Sequence, residues 1–276
     1  MLKLGLSSCG KLICEELFEN YKKAGIEAME ISLNGRDYDT FDFSEVRSLA
    51  DIHGVELWSL HLPFSPFDSI DISRPAIAEQ TVEYFAKIIK KGADIGIDKF
   101  IVHPSGEPIA PEDRAERMAT AKTSLVRLAE IAKSHGATVA VEDLPRTCLG
   151  NTAAEIAELI SVHPGLRVCF DTNHLLTEDA SDFIRALGDK IITTHVSDYD
   201  FINERHWLPG EGKLDWQSIL QALRDTNYSG PWLYELGFAC PKTLVRERDL
   251  TCEDFARNAK EIFEGKIISV LSKQNL

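Results

Sequence analysis

Two periodicities take turns along this chain. Short apolar runs are each followed by a longer stretch whose apolar residues return every three or four positions, the spacing of a helix with one buried face. The runs predict strands over Leu2–Ser8, Ile26–Ile31, Val55–Leu60, Lys99–Val102, Thr138–Val141, Leu166–Phe170, Ile191–Thr194 and Pro231–Tyr234. The stretches between them predict helices over Leu12–Ala24, Phe43–His53, Ile77–Ile95, Pro111–Ser134, Thr152–Val162, Ala180–Leu187, Leu214–Thr226 and Phe255–Leu271. Gly25, Gly54, Gly96, Gly136 and Gly188 stand where helical spacing stops, as left-handed helix ends require. Thr152 stands where an N-cap is needed, and Asp215 sits near the start of the seventh helix.

Eight strand–helix alternations argue for a parallel sheet with helical crossovers. A chain of 276 residues matches the roughly 250 that a closed barrel of eight such units needs. The expected architecture is α/β, a single (β/α)8 TIM barrel with residues 1–276 as one domain; no Pro/Ser-rich linker or low-complexity stretch divides it. A hydrophobic fraction of 44% and a charged fraction of 27% are ordinary for a globular protein. No apolar run approaches the ~20 residues of a bilayer span, and the N-terminus MLKLGLSSCGKLICEE reaches acidic residues too soon for a signal peptide. No membrane association is therefore expected. Six scattered cysteines without a Cys-x-x-Cys pair point to a reducing, cytoplasmic setting. A net charge of −14 argues against a broad nucleic-acid surface, which needs basic residues to displace counterions.

Chemistry collects at the predicted strand ends. Glu30, His61, His103, Glu142, Asp171, His195 and Glu235 close seven of the eight strands. In a barrel those ends share one face. A lone buried His or Glu is ordinarily a hydrogen-bonded structural residue, but seven on one face call for compensation, and a divalent cation is the usual one. Glu142, Asp171, His195 and Glu235, on strands five to eight, offer three carboxylates and one imidazole. That donor set suits Mn²⁺ or Mg²⁺, with Co²⁺ a further candidate. Such an ion polarises a carbonyl, while a carboxylate beside it can take a proton from the adjacent carbon. The strand-seven stretch continues through Asp198, Asp200, Glu204, Arg205, His206 and Pro209-Gly210-Glu211-Gly212. Gly210-Glu211-Gly212 is too short for a dinucleotide fingerprint and reads as a turn. Trp58, Phe64, Phe67, Trp207 and Phe238 read equally well as packing or as a wall for a sugar's apolar face, whereas Lys90-Lys91 and Arg246-Glu247-Arg248-Asp249 read as solvated faces.

The segments MEISL, SLHLPF, IVHPSGE, VAVEDLPR, VCFDTNHLL, THVSDYD, RHWLPGEGKLDW and YELG run in order through nearly the whole chain. Together they resemble the xylose-isomerase-like superfamily of sugar isomerases and epimerases, which also includes the endonuclease-four-type abasic-site nucleases. By position, Glu142, Asp171, His195 and Glu235 resemble the single-metal quartet of ketose 3-epimerases and inosose isomerases. In that branch the two glutamates, here Glu142 and Glu235, exchange a proton on opposite faces of a carbon beside the carbonyl. His174 and an arginine after the strand-seven histidine resemble its substrate-binding residues. Arg205 lies further past His195 than that pattern expects. The same resemblance puts His61, His103 and His206 around the substrate.

The nuclease branch holds three zinc ions, and His61, His103 and His174, the quartet, and Glu204-Arg205-His206 fill every corresponding position, with Glu replacing Asp. The net charge argues against that branch, as does HLPFSPFDSIDIS, acidic and aromatic where a DNA-gripping loop would be basic. The expectation is a divalent-metal-dependent isomerase or epimerase acting on a small polyhydroxy carbonyl compound: a keto sugar, sugar phosphate or keto-inositol. The trinuclear-zinc nuclease, bound to Zn²⁺, and a related dehydratase are the alternatives. Barrels of this kind often associate, so a homo-oligomer is also expected.

Overall fold

A computed structural model describes residues 2–64 and 70–272. The strands are β1 (Leu4–Ser7), β2 (Ala28–Ile31), β3 (Glu56–His61), β4 (Lys99–Val102), β5 (Thr138–Glu142), β6 (Arg167–Asp171), β7 (Ile191–His195) and β8 (Trp232–Tyr234). Between and after them lie α1 (Glu15–Ala24), α2 (Phe43–His53), α3 (Ala78–Asp94), α4 (Arg114–Ser134), α5 (Ala153–Ile160), α6 (Ala180–Leu187), α7 (Trp216–Asp225) and α8 (Cys252–Phe263). The sheet order is β7-β6-β5-β4-β3-β2-β1-β8, and the paired strands run parallel. Just past β7 the ring closes onto β8, where Val196 N donates to Leu233 O at 2.8 Å and Glu235 N to Val196 O at 3.2 Å. The expected (β/α)8 barrel is thus the observed fold.

Strand alternation sets up the site. Phe100 and Val102 of β4, Val139 and Val141 of β5, and Val168 and Phe170 of β6 join the large core shared with the helices. Ile101, Ala140 and Cys169, the alternate positions, form a separate small cluster. Successive side chains point to opposite faces of a strand, so Glu142 shares the phase of Ala140 and Asp171 that of Cys169. The acids thus stand one step above a small apolar layer inside the barrel. Both are fully buried.

Helix ends follow local chemistry. Thr152 Oγ1 accepts Glu155 N at 3.2 Å, and Asp215 accepts Gln217 N and Ser218 N, each at 3.1 Å, as N-caps do. Gly25 ends α1 at φ 78°, a left-handed conformation glycine adopts without penalty. The last helix differs from expectation. It begins at Cys252 rather than Phe255, because Thr251 and Asp254 form a capping box, and it stops at Phe263 rather than Leu271. Gly265, at φ 65°, turns the chain, and Ser272 then pairs with Arg246. Apolar Ile267, Ile268 and Val270 had extended the helical spacing past a turn that Gly265 imposes. Among the described residues no helix is long and apolar enough to cross a membrane.

Candidate active site

Seven acids and imidazoles predicted at strand ends meet at the C-terminal mouth of the barrel, with Glu142 at their centre. Its Oε2 lies 3.0 Å from Nε2 of both His61 and His103, and its Oε1 lies 2.8 Å from Nδ1 of His195. Glu235 Oε2 reaches the same His195 nitrogen at 3.2 Å. Glu30 lies on the far side of that ring, accepting from His195 Nε2 at 3.0 Å and from Ser59 Oγ at 2.8 Å. Glu30 therefore orients His195, a task its place at a strand end did not reveal.

Each of four imidazoles gives one nitrogen to a protein acceptor and aims the other at the site. His61 Nδ1 faces Leu62 O at 2.8 Å, His174 Nδ1 faces Asp143 O at 2.7 Å, and His206 Nδ1 faces Glu235 O at 3.3 Å. His195 does the same through Glu30. Anchoring one nitrogen to a carbonyl or carboxylate fixes the tautomer and leaves a lone pair on the other, the usual orientation of a metal-ligating histidine. For His61 and His195 that lone pair points at carboxylate oxygens about 3 Å away, an arrangement that requires a cation or a proton between them. Asp171 adds a second sign: its Oδ2 is buried without a hydrogen-bond partner, while its Oδ1 accepts Asn173 N at 2.6 Å.

Three sets of donor atoms each fall within 4.8 Å of one another: His61, Glu142, His195 and Glu235; Glu142, Asp171 and His174; and His174, Glu204 and His206. The donor set fits a divalent cation. Burial would lower the His195 pKa, but Cys169 and the carboxylates of Glu235, Glu30 and Glu142 outweigh it and hold the ring well above its ordinary value. Burial, reinforced by Glu235 and Glu142 against the attraction of His174, raises Asp171 well above the carboxylate range. Burial likewise pushes neighbouring Asp143 up to about 8. Glu235 goes the other way, since His195 overcomes its burial.

The cluster opens into a cavity of 560 Å³, which His103, Glu142, His174, Glu204, His206 and Glu235 help to line. Asp171, His195 and His61 sit beneath its floor, outside the lining. Arg205 does not line it either; its Nη2 binds Asp200 Oδ2 at 2.8 Å, and its guanidinium lies over Trp207. Arg146 does line it, holding Glu204 Oε1 at 2.6 Å and also pairing with Glu107. No role for Arg146 was legible in VEDLPR, because its partners lie 39 and 58 residues away. Of the aromatics, Phe64 stacks on His103 at 4.4 Å and faces the cavity. Trp58 donates to Thr193 Oγ1 at 3.2 Å, Trp207 to Thr243 Oγ1 at 3.0 Å, and Phe238 packs under Lys11; Phe67 lies outside the described residues.

The segment after β7 is tied down from two sides. Asn173 Oδ1 accepts Arg205 N at 2.8 Å and His206 N at 3.3 Å, so the residue just before His174 also fixes Glu204-Arg205-His206. His206, Arg146 and Cys9, all lining the cavity, have positive φ (51°, 54° and 45°), and non-glycine residues in that region cost on the order of 1 kcal/mol or more each. Asp198, buried, accepts Tyr199 N, Gly210 N, Leu214 N and Trp216 Nε1 at 2.8, 2.8, 3.2 and 3.0 Å. A Cβ at Gly212 would run into the Asp198 carboxylate, which explains the second glycine of Gly210-Glu211-Gly212. Glu211 meets Arg246 at 2.6 Å with both side chains fully enclosed. Arg246 therefore departs from the solvated face expected for residues 246–249. An arginine read in isolation gives no sign of a carboxylate 35 residues earlier that will bury it.

Fold and site together define a (β/α)8 barrel with a buried acid–imidazole cluster fit for divalent metal. The chain belongs to the xylose isomerase-like TIM barrel family, whose profile matches residues 18–250. It is 28% identical over 244 residues to a D-psicose 3-epimerase of Enterocloster bolteae, covering 80% of this chain and 78% of that protein. A ketose 3-epimerase of Arthrobacter globiformis is 25% identical over 221 residues, covering 78% and 74%. Among solved structures, a D-tagatose 3-epimerase-like protein superposes with a TM-score of 0.79 at 22% identity, over 96% of each chain.

Proposed function

We propose that this protein is a divalent-metal-dependent isomerase or epimerase of a small polyhydroxy carbonyl compound. The observation that carries the reading is the convergence of Glu142 and Glu235 on one imidazole nitrogen at the floor of a cavity they both line. Glu142, Asp171, His195 and Glu235 would hold the ion, Mn²⁺ or Mg²⁺ by donor type, with Co²⁺ also suited. When bound, it supplies Lewis-acid polarisation of the substrate carbonyl.

The chain's own residues do the rest. One of the two glutamates takes the proton from the carbon beside the carbonyl; the C–H electrons form the C=C bond of an enediolate and the carbonyl π electrons move to oxygen. The other glutamate returns a proton: to the same carbon from the opposite face, which inverts the centre, or to the neighbouring carbon, which isomerises the substrate. His174 faces the cavity with Nε2 3.3 Å from Glu204 Oε2; its burial is outweighed by Asp171 and Glu204, which favour the charged ring, and that ring is placed to donate to a substrate oxygen, with His103 and His206 flanking it. His61 acts one step back, by fixing Glu142. Arg205 supports the loop rather than the substrate. The relatives that are ketose and psicose 3-epimerases support this chemistry. Six free cysteines accord with a reducing cytoplasm. The direct test is solvent-deuterium incorporation into a panel of keto sugars and inososes by the Mn²⁺-loaded protein; Glu235→Gln should abolish it, and retention of full exchange by that variant would exclude the two-base scheme.

One observation favours a second reading. His174, Glu204 and His206 form a further donor set, as the trinuclear zinc nuclease would need. Against it, Glu204 is already held by Arg146, and the cavity carries an excess of acids over cations, unsuited to a DNA backbone. Three zinc ions per purified chain, together with incision of abasic-site DNA, would establish the nuclease; one Mn²⁺ or Mg²⁺ without incision supports the isomerase.

A further inference from the structure

The cavity is larger than a bare sugar requires. A monosaccharide of twelve heavy atoms fills roughly 200 Å³, whereas pockets for drug-sized ligands run from about 300 to 1,000 Å³; this one measures 560 Å³. Beside the donors, a large share of the lining is apolar, made of Leu33, Phe64, Ile70, Ile72, Phe85 and Leu144 with Cys148, and interrupted by Asn34, Asp71 and Ser105. Ile70, Ile72, Phe85 and Leu144 are also buried, so this wall is fixed by core packing rather than by mobile surface side chains. Phe64 bridges the two parts, stacked on His103 yet 46% exposed.

Charge narrows the occupant. Asp71, Glu107, Glu142, Glu204 and Glu235 line the cavity, and Arg146 is the only lysine or arginine among the described lining residues. Its guanidinium is committed to Glu107 and Glu204. Asp71 is likewise committed, to Arg117 at 2.6 Å and to Gly106 N at 3.0 Å. A phosphate placed beyond the donor cluster would meet acids and aliphatic carbon with no free cation, and burying an uncompensated dianion there is costly. An apolar group would meet a preformed apolar wall and gain by leaving water.

We propose that the substrate is a non-phosphorylated keto sugar bearing an apolar substituent, such as the aryl or alkyl aglycone of a glycoside. The sugar ring lies over Glu142 and Glu235, and the substituent lies against Phe64, Ile72 and Phe85. The proposal rests on the isomerase reading for its carbonyl chemistry, and the test separates the two. Mn²⁺-loaded protein is assayed for solvent-deuterium incorporation into methyl and phenyl 3-keto-β-D-glucopyranosides, D-fructose and fructose 6-phosphate. Calorimetry in parallel measures binding of the unreactive methyl and phenyl β-D-glucopyranosides. The phenyl compound is expected to exceed the methyl one at least tenfold in kcat/KM, mainly through KM, and at least tenfold in affinity. Phe64→Ala, a change at a half-exposed position that spares the core, should narrow both ratios at least threefold. Equal values for methyl and phenyl compounds, or a preference for fructose 6-phosphate, would overturn the proposal while leaving the isomerase reading intact. Tenfold tighter phenyl glucoside binding, with no exchange into any of the four carbonyl compounds, would support the apolar arm and count against the isomerase chemistry.

Discussion

Arg246→Met is the sharpest test of how the loop beneath the site is held. Arg246 and Glu211 are fully enclosed, with Nε 2.9 Å from Oε1 and Nη2 2.6 Å from Oε2, a bidentate fork. Glu211 Oε2 also accepts Leu208 N at 3.0 Å, so the pair closes the turn that follows Trp207. Removing the guanidinium leaves a buried carboxylate with one backbone donor. Breaking a buried pair from one side costs about 3–5 kcal/mol, because the surviving charge is stranded. An unfolding entropy of about 2.1 cal/mol/K per residue gives roughly 0.6 kcal/mol/K for 276 residues, so Tm should fall by about 5–9 °C.

The double variant Glu211→Gln/Arg246→Met should behave differently. The charge is gone, the amide oxygen still accepts Leu208 N, and Met fills much of the arginine's volume. The pair's attraction only roughly offsets its desolvation, so the double variant should lie within about 1–2 kcal/mol of the parent. The assay is equilibrium denaturant unfolding of Arg246→Met, Glu211→Gln and the double variant alongside calorimetric Tm, read as a double-mutant cycle. A loss below about 1 kcal/mol in Arg246→Met would refute the stranded-charge argument, as would strict additivity of the two substitutions.

Three further outcomes are expected. Asp198→Ala strips the acceptor from three backbone N–H groups and the Trp216 indole, and at about 1 kcal/mol per hydrogen bond the loss should reach roughly 3–4 kcal/mol; hydrogen exchange at residues 207–214 should quicken, and unchanged protection there would contradict the role assigned to this carboxylate. Saturating Mn²⁺ at about 100 times its Kd contributes ~2.7 kcal/mol, a Tm rise of about 5 °C on the same entropy scale; Asp171→Asn, which replaces the partnerless buried oxygen, should lose most of that rise, and an undiminished response would remove Asp171 from the proposed ligand set. Because burial among Glu235 and Glu142 holds the Asp171 proton on and the surrounding acids keep His195 charged, both must shed protons to bind a cation. Metal affinity should therefore rise with pH, with proton release detectable by titration calorimetry in buffers of different ionisation enthalpy; a flat profile would argue against these groups as ligands.

Most of the barrel was readable because its signals are local. A strand of four or five apolar residues, a capping threonine and a terminal glycine each act within a few positions, and Glu142, Asp171, His195 and Glu235 could be located because strand alternation fixes their phase against Ala140 and Cys169. What escaped was every role conferred by a partner far along the chain. Glu30 was found at its strand end, but its grip on His195 spans 165 residues. Arg146 stood in plain view four residues after Glu142, yet only the fold brings it to Glu107 and Glu204 at the cavity rim. The end of α8 departs from the apolar spacing for the opposite reason: that spacing continues past Phe263, while one glycine and the pairing of Ser272 with Arg246 end the helix.

The same contrast governs the site. The groups proposed to move protons are held by strands, and their geometry follows from register. Glu204 and His206, which line part of the cavity, sit on a segment whose position depends on Asn173, Asp198 and the Arg246–Glu211 pair, none of which touches the cavity. Relatives with the same strand-end residues can therefore share carbonyl chemistry while differing in substrate. Substrate affinity in this chain should accordingly respond to changes at these three anchors through KM, even where kcat, proposed to depend on Glu142 and Glu235 at the strand ends, stays close to that of the parent.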